Sequence, residues 1–231
     1  MAGRIGPAPG LRTLAGVTGR LHRPTLGAAA LVVPVKAFGA AKLRLADVLD
    51  PEARGQLARA MAATVLRAAG RLDPHVVCDD EEVRAWAEAE GAEVVWTPGL
   101  GLNGAVEAAL HHLAGRGVRR AVVAHADLPL ATELDWLADH DGISLVPDRH
   151  RDGTNVISLP TEVGFRFAYG AGSFRRHWAE ATRLGAVVRI VADPGLSWDL
   201  DVPADLPGPA DRTFPAAVAE VAATARPPAE V

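Results

Sequence analysis

From residue 27 onward, short apolar runs alternate with longer stretches in which apolar residues recur at helical spacing. Runs at 29–35, 75–78, 94–96 and 121–124 are followed by amphipathic segments at 51–69, 81–90, 103–113 and 133–140, respectively. Short buried runs between helix-period segments read as strands, and the repeated strand-helix order predicts a largely parallel sheet covered on both faces. Asp50 and Pro51 open the first helix as a capping type followed by proline at the first helical position. Leu57, Met61, Val65 and Ala68 then share one buried stripe. After residue 142 the rhythm changes: 143–147, 156–159 and 165–168 predict strands joined by loops, an antiparallel or mixed insertion. A helix at 173–184, a strand at 187–191 and the segment 197–206 close the domain. Residues 1–26 show no period and read as a flexible extension, 27–207 as one domain, and 208–231 as a Pro- and Ala-rich tail with a surface helix around 215–224. The expected fold class is α/β, a three-layer single domain on a mostly parallel mixed sheet. In such open sheets ligands sit at the carboxyl ends of the parallel strands.

Composition narrows the function classes. A net charge of −4 over 231 residues supplies no chain-wide basic field for nucleic acid, so any phosphate site must be local. The single cysteine, Cys78, rules out an intrachain disulfide framework and fits a reducing compartment. No apolar run approaches the roughly 20 residues that span a bilayer, and the opening stretch lacks the apolar core of a signal peptide. The expectation is a cytoplasmic protein without nucleic-acid or membrane partners. Every basic residue is arginine except Lys36 and Lys42, which fall together just after the first apolar run. A compact ammonium and a planar guanidinium are not interchangeable at a crowded phosphate site, so this pairing marks two positions where lysine is chemically required.

Four segments carry candidate chemistry. Val33-Pro-Val-Lys-Ala-Phe-Gly-Ala-Ala-Lys-Leu-Arg-Leu45 runs from a buried strand into a loop bearing Lys36, Lys42 and Arg44, a clamp for a leaving pyrophosphate. It lacks the spacing of a P-loop. Val122-Val-Ala-His-Ala-Asp-Leu-Pro-Leu130 ends an apolar strand on Asp127, where a carboxylate can hold Mg²⁺ or cap the next helix; His125 reads as a structural neighbour. In Trp198-Asp-Leu-Asp-Val-Pro-Ala-Asp205, Asp199 and Asp201 project to one side of an extended chain, and a cation relieves their repulsion, which makes both metal-ligand candidates. Asp205 reads as an early-helix residue outside the site. The last segment pairs Pro147-Asp-Arg-His-Arg-Asp-Gly-Thr-Asn155 with the Gly-rich turn Phe167-Ala-Tyr-Gly-Ala-Gly-Ser-Phe174, whose free backbone N–H groups and Ser173 suit a phosphate or carboxylate. A further turn, Gly99-Leu-Gly-Leu-Asn-Gly104, offers Asn103 and backbone amides such as that of Gly104 to a nucleotide.

In this order, P-V-K-x5-K-x-R, G-L-N-G, A-D-L-P-L, P-D-R…G-T-N, F-x-Y-G-x-G-S-F and D-L-D-V-P-A-D-L resemble the phosphoenolpyruvate / 2-phospho-L-lactate guanylyltransferases of coenzyme F420 biosynthesis, from about Leu31 to Leu206. The resemblance implies a GT-A-like nucleotidyltransferase fold similar to that of the molybdenum-cofactor guanylyltransferases, with GTP and Mg²⁺ as partner and cofactor. It implies that Thr154, Gly170 and Ser173 bind the phosphorylated acid and that Asp127 and Asp199 bind metal. Two departures stand out: Tyr169 occupies a position where the family usually has phenylalanine, and Leu200 with Val202-Pro203 replaces a D-V-D-T-P sequence. The arginine-rich composition resembles actinobacterial members and favours phosphoenolpyruvate over 2-phospho-L-lactate as the acid. A molybdopterin or sugar-phosphate nucleotidyltransferase and a non-catalytic nucleotide-binding subunit are the competing readings.

Overall fold

The first apolar run forms β1 (Ala29–Pro34), in which Leu31 and Val33 face one side of the sheet and Ala30 and Val32 the other, all four with no exposed surface. A strand apolar on both faces must be covered twice. In the computed structural model, which describes residues 29–208 and 211–226, it lies inside a seven-stranded sheet. The other strands are β2 (Asp73–Cys78), β3 (Glu93–Trp96), β4 (Arg120–Ala124), β5 (Ile143–Pro147), β6 (Thr154–Pro160) and β7 (Val188–Ile190), in the spatial order β3-β2-β1-β4-β6-β5-β7. Strands β3, β2, β1 and β4 are mutually parallel, β5 pairs parallel with β7, and β6 runs antiparallel to both β4 and β5. The α/β class and the mixed sheet thus follow the expectation. The extension expected at 1–26 lies outside the described residues.

One face is covered by α1 (Pro51–Arg67) and α2 (Glu81–Ala89), the other by α3 (Gly101–Gly115) and α4 (Ser173–Arg183). The first helix starts as the sequence predicts, with Asp50 Oδ1 accepting from the Ala53 amide at 2.8 Å, and α2 is capped in the same way by Asp80 Oδ1, which accepts from the Val83 amide at 3.0 Å. Two expectations fail. The segment 165–168 makes no strand, because its backbone amides go to side chains: Phe167 N–H donates to Glu107 of α3 and Ala168 N–H to His177 of α4. The helix expected at 133–140 is only a short 3-10 helix, Asp135–Asp139.

A third apolar cluster lies beyond α1, where Leu45, Leu57, Met61, Leu200 and Val218 meet, each fully buried. It joins the basic loop after β1, the acidic segment around residue 200 and a short C-terminal helix, α5 (Ala216–Ala222). The helix expected on the surface therefore seals a core with Val218, and Leu200 plugs the acidic segment into the same core. Leu200→Ala removes a buried side chain from this junction and should cost about 2–5 kcal/mol of folding free energy, read as a lowered denaturation midpoint in urea. A midpoint unchanged from the parent would mean that this cluster does not anchor the segment.

Candidate functional site

Parallel strands β1 and β4 end at one edge of the sheet, and the reversal of β6 brings its first residue to that same edge. Ala124 of β4 pairs with Val156 of β6, and His125 N–H donates to Asn155 O at 3.0 Å. The register therefore sets Thr154 alongside residue 126, next to the loop that carries Asp127. Sequence segments 85 and 159 positions apart then converge: Lys42 Nζ donates to Asp127 Oδ2 at 2.7 Å and to Asp201 Oδ1 at 2.8 Å. Arg44, 74% exposed, reaches Asp201 Oδ2 at 3.4 Å. Lys36 stands exposed at the end of β1. The three cations do not form one clamp. Lys42 is committed inward to the carboxylates, with its backbone at a φ of 52°, leaving Lys36 and Arg44 facing outward.

Burial alone would lower the Lys42 pKa, but Asp127 and Asp201 outweigh it and raise the ammonium above its ordinary value. Burial alone would raise Asp127, and the charge of Lys42 reverses this and holds its carboxyl below the usual range. Asp199 has no such partner at hydrogen-bonding distance: burial, and then the negative charge of Asp127, push its carboxyl up. Arg149 gives Asp199 only a 3.8 Å ion pair and spends its fork elsewhere, on Asp199 O at 2.8 Å and on the carboxylate of Asp205. Both Asp127 Oδ1 and Asp199 Oδ1 are buried without a hydrogen-bond partner. Hard carboxylate oxygens of this kind fit a Mg²⁺ ion, which keeps the rest of its oxygen shell for water and phosphate. Among the described residues, no three His, Cys, Asp or Glu side chains converge to hold a metal by themselves, and Asp201 is drawn to Lys42 and Arg44 instead.

The acidic segment is held by contacts with no sequence signature. Asp205, read as lying outside the site, is 4% exposed and accepts from the amides of Asp201 at 2.8 Å and Val202 at 2.9 Å while pairing with Arg149. Arg149 also lies over the Trp198 ring at 4.4 Å, so one arginine ties the β5–β6 loop to residues 198–205. Leu200 N–H donates to Asp127 O at 3.1 Å, which fixes the two carboxylate-bearing segments to each other.

Next to the carboxylates lies a hydroxyl pair. Thr154 opens β6 and Ser173 opens α4; they are 1% and 2% exposed, and Ser173 Oγ accepts from Thr154 N–H at 3.1 Å. Several backbone amides of the Gly-rich turn are spent within the protein. Gly172 N–H donates to Asp152 Oδ2 at 2.9 Å, Ser173 N–H to Gly170 O at 2.9 Å and Phe174 N–H to Asp152 O at 3.0 Å. The guanidinium of Arg176 gathers the outward carbonyls of this turn, with bonds of 2.8 Å to Ala168 O and 2.6 Å to Ala171 O. Gly170 adopts a φ of 107°, which only glycine takes readily, whereas a Cβ there would meet nothing closer than 3.9 Å. Backbone conformation, not crowding, requires glycine. Asn103 Oδ1 is spent on Tyr169 N–H at 2.8 Å, so its side-chain carbonyl holds the Gly-rich turn, while Gly104 lies in the first turn of α3. The Tyr169 ring stands 4.9 Å from His125 and 4.9 Å from His177, a wall joining the two halves of the site. Its hydroxyl is buried without a partner, and burial raises its pKa above the phenol range.

Comparison with known proteins gives the family and the fold. The model of the family described as "Guanylyl transferase CofC like" matches residues 29–208. The chain is similar to the phosphoenolpyruvate guanylyltransferase of Sphaerobacter thermophilus, 39% identical over 184 residues that cover 76% of this chain and 89% of that protein. It is 36% identical to the enzyme of the same name from Rubrobacter xylanophilus, over 76% of this chain and 90% of that one. Among solved structures, a putative nucleotide-diphospho-sugar transferase from Desulfovibrio desulfuricans G20 superposes with a TM-score of 0.61 at 20% identity, over 77% of this chain and 84% of that one. A nucleotidyl transferase from Methanothermobacter thermautotroptrophicus gives 0.54 at 16% identity, over 77% and 94%. At these identities the two structures establish the nucleotidyltransferase-like fold.

The pairing of Lys42 predicts a stability effect separate from activity. Lys42→Met strands Asp127 as a buried charge without its partner and should cost about 3–5 kcal/mol at neutral pH. The sign against pH follows from Asp127: its depressed pKa contributes stability at neutral pH that is lost as pH falls through the folded value. The penalty of Lys42→Met should therefore shrink on acidification, when Asp127 can be buried neutral. Urea titrations of parent and variant at neutral and acidic pH check this; a penalty independent of pH would mean that the pair contributes little.

Proposed function

The chain belongs to the family of CofC-like guanylyl transferases, and on that premise we propose that it transfers GMP from GTP to phosphoenolpyruvate, giving enolpyruvyl-2-diphospho-5'-guanosine and diphosphate in coenzyme F420 biosynthesis. The observation that carries this reading is the register of β6, which sets the Thr154–Ser173 hydroxyl pair beside the Asp127 loop. An acid phosphate bound by the hydroxyls thus lies next to the carboxylates that handle the nucleotide phosphates. We assign the scaffold to the GT-A-like nucleotidyltransferases, resembling the molybdenum-cofactor guanylyltransferases; the mixed sheet supports this.

The nucleophile is a phosphate oxygen that is already anionic, so attack on the α-phosphorus of GTP needs no general base and the protein's task is alignment and charge neutralisation. Asp127 and Asp199 would hold Mg²⁺, which would supply charge neutralisation on the reacting phosphates. Lys42 bridges the Asp127 and Asp201 carboxylates and holds both in place. Lys36 and Arg44, facing outward from the loop after β1, receive the departing diphosphate. The first turn of α3, with Asn103 and Gly104, borders the nucleotide. Thr154, Gly170 and Ser173 receive the acid. Phosphoenolpyruvate is the substrate named for the relatives; 2-phospho-L-lactate is the alternative acid on the same site.

Pyrophosphate release from GTP with phosphoenolpyruvate, 2-phospho-L-lactate or 3-phosphoglycerate tests the assignment, with phosphoenolpyruvate giving the highest kcat/KM. Release that ignores the acid supplied would overturn it. Asp127→Asn and Asp199→Asn should each remove most of the Mg²⁺-dependent turnover while the protein stays folded by circular dichroism, since charge changes and volume does not. Thr154→Val and Ser173→Ala should each cost about 1.5–3 kcal/mol, roughly tenfold to a hundredfold, in kcat/KM for the acid with GTP affinity preserved. Losses confined to GTP would move the hydroxyl pair to the nucleotide side.

A further inference from the structure

His177 is fully buried on α4, one turn beyond Ser173, and touches the backbone of the acid-side loop and the hydroxyl of the opposite strand at once. Ala168 N–H donates to its Nε2 at 2.9 Å, and its Nδ1 lies 3.0 Å from Thr154 Oγ1. A backbone amide is only a donor, so Nε2 must be the bare nitrogen and the ring proton must sit on Nδ1. Thr154 Oγ1 is then the acceptor of that proton, and its own hydrogen points elsewhere. Ser173 Oγ likewise accepts from Thr154 N–H. Both hydroxyls are thus arranged as acceptors toward the protein, with their hydrogens left to donate.

We infer that His177 is a positioning residue for the phosphorylated acid: its Nδ1–H holds the Thr154 hydroxyl as an acceptor, so that the one hydrogen of that hydroxyl is aimed at the anion. The inference rests on the reading that Thr154 binds the acid. The surroundings keep the imidazole neutral, as this tautomer demands. Phe165, Phe167 and Tyr169 ring it at centroid distances of 5.7, 6.2 and 4.9 Å. Burial, and then the charges of Arg176 and His125, lower its pKa to about 4. A side chain filling space alone would have no reason to use both nitrogens, one on the backbone of Ala168 and the other on the hydroxyl of Thr154. Fixing the hydroxyl before the ligand arrives removes an ordering cost on binding, the general advantage of preorganisation.

Two amides that each mimic one half of the ring separate positioning from packing. Asn places an N–H where Nδ1 was and keeps the donor to Thr154, whereas Gln reaches the place of Nε2 and keeps only the acceptor for Ala168. His177→Gln should raise KM for phosphoenolpyruvate about tenfold, with KM for GTP unchanged, while His177→Asn keeps most of the acid affinity. A packing role predicts the reverse order, since Gln is nearer to His in volume. In the double variant Thr154→Val with His177→Gln, the acid KM should be no worse than in Thr154→Val alone, because both changes act through one hydrogen. Multiplying effects, or an Asn variant worse than the Gln variant, would overturn the role of His177 while leaving Thr154 in the acid site. An unchanged acid KM in Thr154→Val by itself would remove the acid-site reading and this inference together.

Discussion

Like-charge repulsion at one edge of the sheet is the constraint around which the rest of the molecule is arranged. Asp127, Asp199 and Asp201 arrive there from two distant segments, and the Asp127 carboxylate raises the pKa of Asp199 while Lys42 lowers that of Asp127. Carboxylates so placed tend to move apart or take up protons. Lys42 bridges two of them, and the segments are held from behind: Leu200 is plugged into the cluster that also receives Leu45 from the lysine loop, and Asp205 binds the amides of Asp201 and Val202. Apolar burial on the far side of each loop thus opposes the electrostatic cost on the near side.

The central strands and helices were legible because their signals are local. The cap at Asp50, the apolar runs and the stripe through Leu57 and Met61 each specify their element without knowledge of the rest. The segment 165–168 was misread for the opposite reason. Its apolar residues carry the pattern of a strand, yet Glu107 and His177 take its amides, and nothing in the segment announces partners 60 and 9 positions away. The short 3-10 helix at Asp135–Asp139 was overread as a full helix on the same evidence of apolar spacing.

The candidate site was legible as a set of residue types but not as a set of pairings. Both lysines stand out by composition, and the carboxylates stand out by their place at strand ends. Sequence gives no means of knowing that Lys42 turns onto Asp127 and Asp201 while Lys36 faces outward, since that depends on a left-handed turn at Lys42. Arg149 stands in the P-D-R motif without a role assigned to it, and His177 carries no signal in the sequence. In a chain rich in arginine, Arg149 is one of many, and a histidine on a helix face is ordinarily read as core. What distinguishes them is position in three dimensions: Arg149 spans from the β5–β6 loop to the acidic segment, and His177 spans from α4 to β6.

The choice of lysine at position 42 follows from the geometry it serves. Two carboxylate oxygens, on Asp127 and Asp201, approach one point at 2.7 and 2.8 Å from separate segments. A single ammonium nitrogen with three rotatable donors can serve both, and its side chain, 9% exposed, occupies little of the space between them. A guanidinium would present a planar fork suited to one carboxylate held bidentately, and would force the two segments further apart. Arginine serves where the surface is open or several carbonyls must be gathered, as at Arg44 and Arg176. The compact cation is kept for the one place where two negative groups must be held close together without being merged into a single rigid pair, which leaves Asp127 Oδ1 and Asp199 Oδ1 without a hydrogen-bond partner.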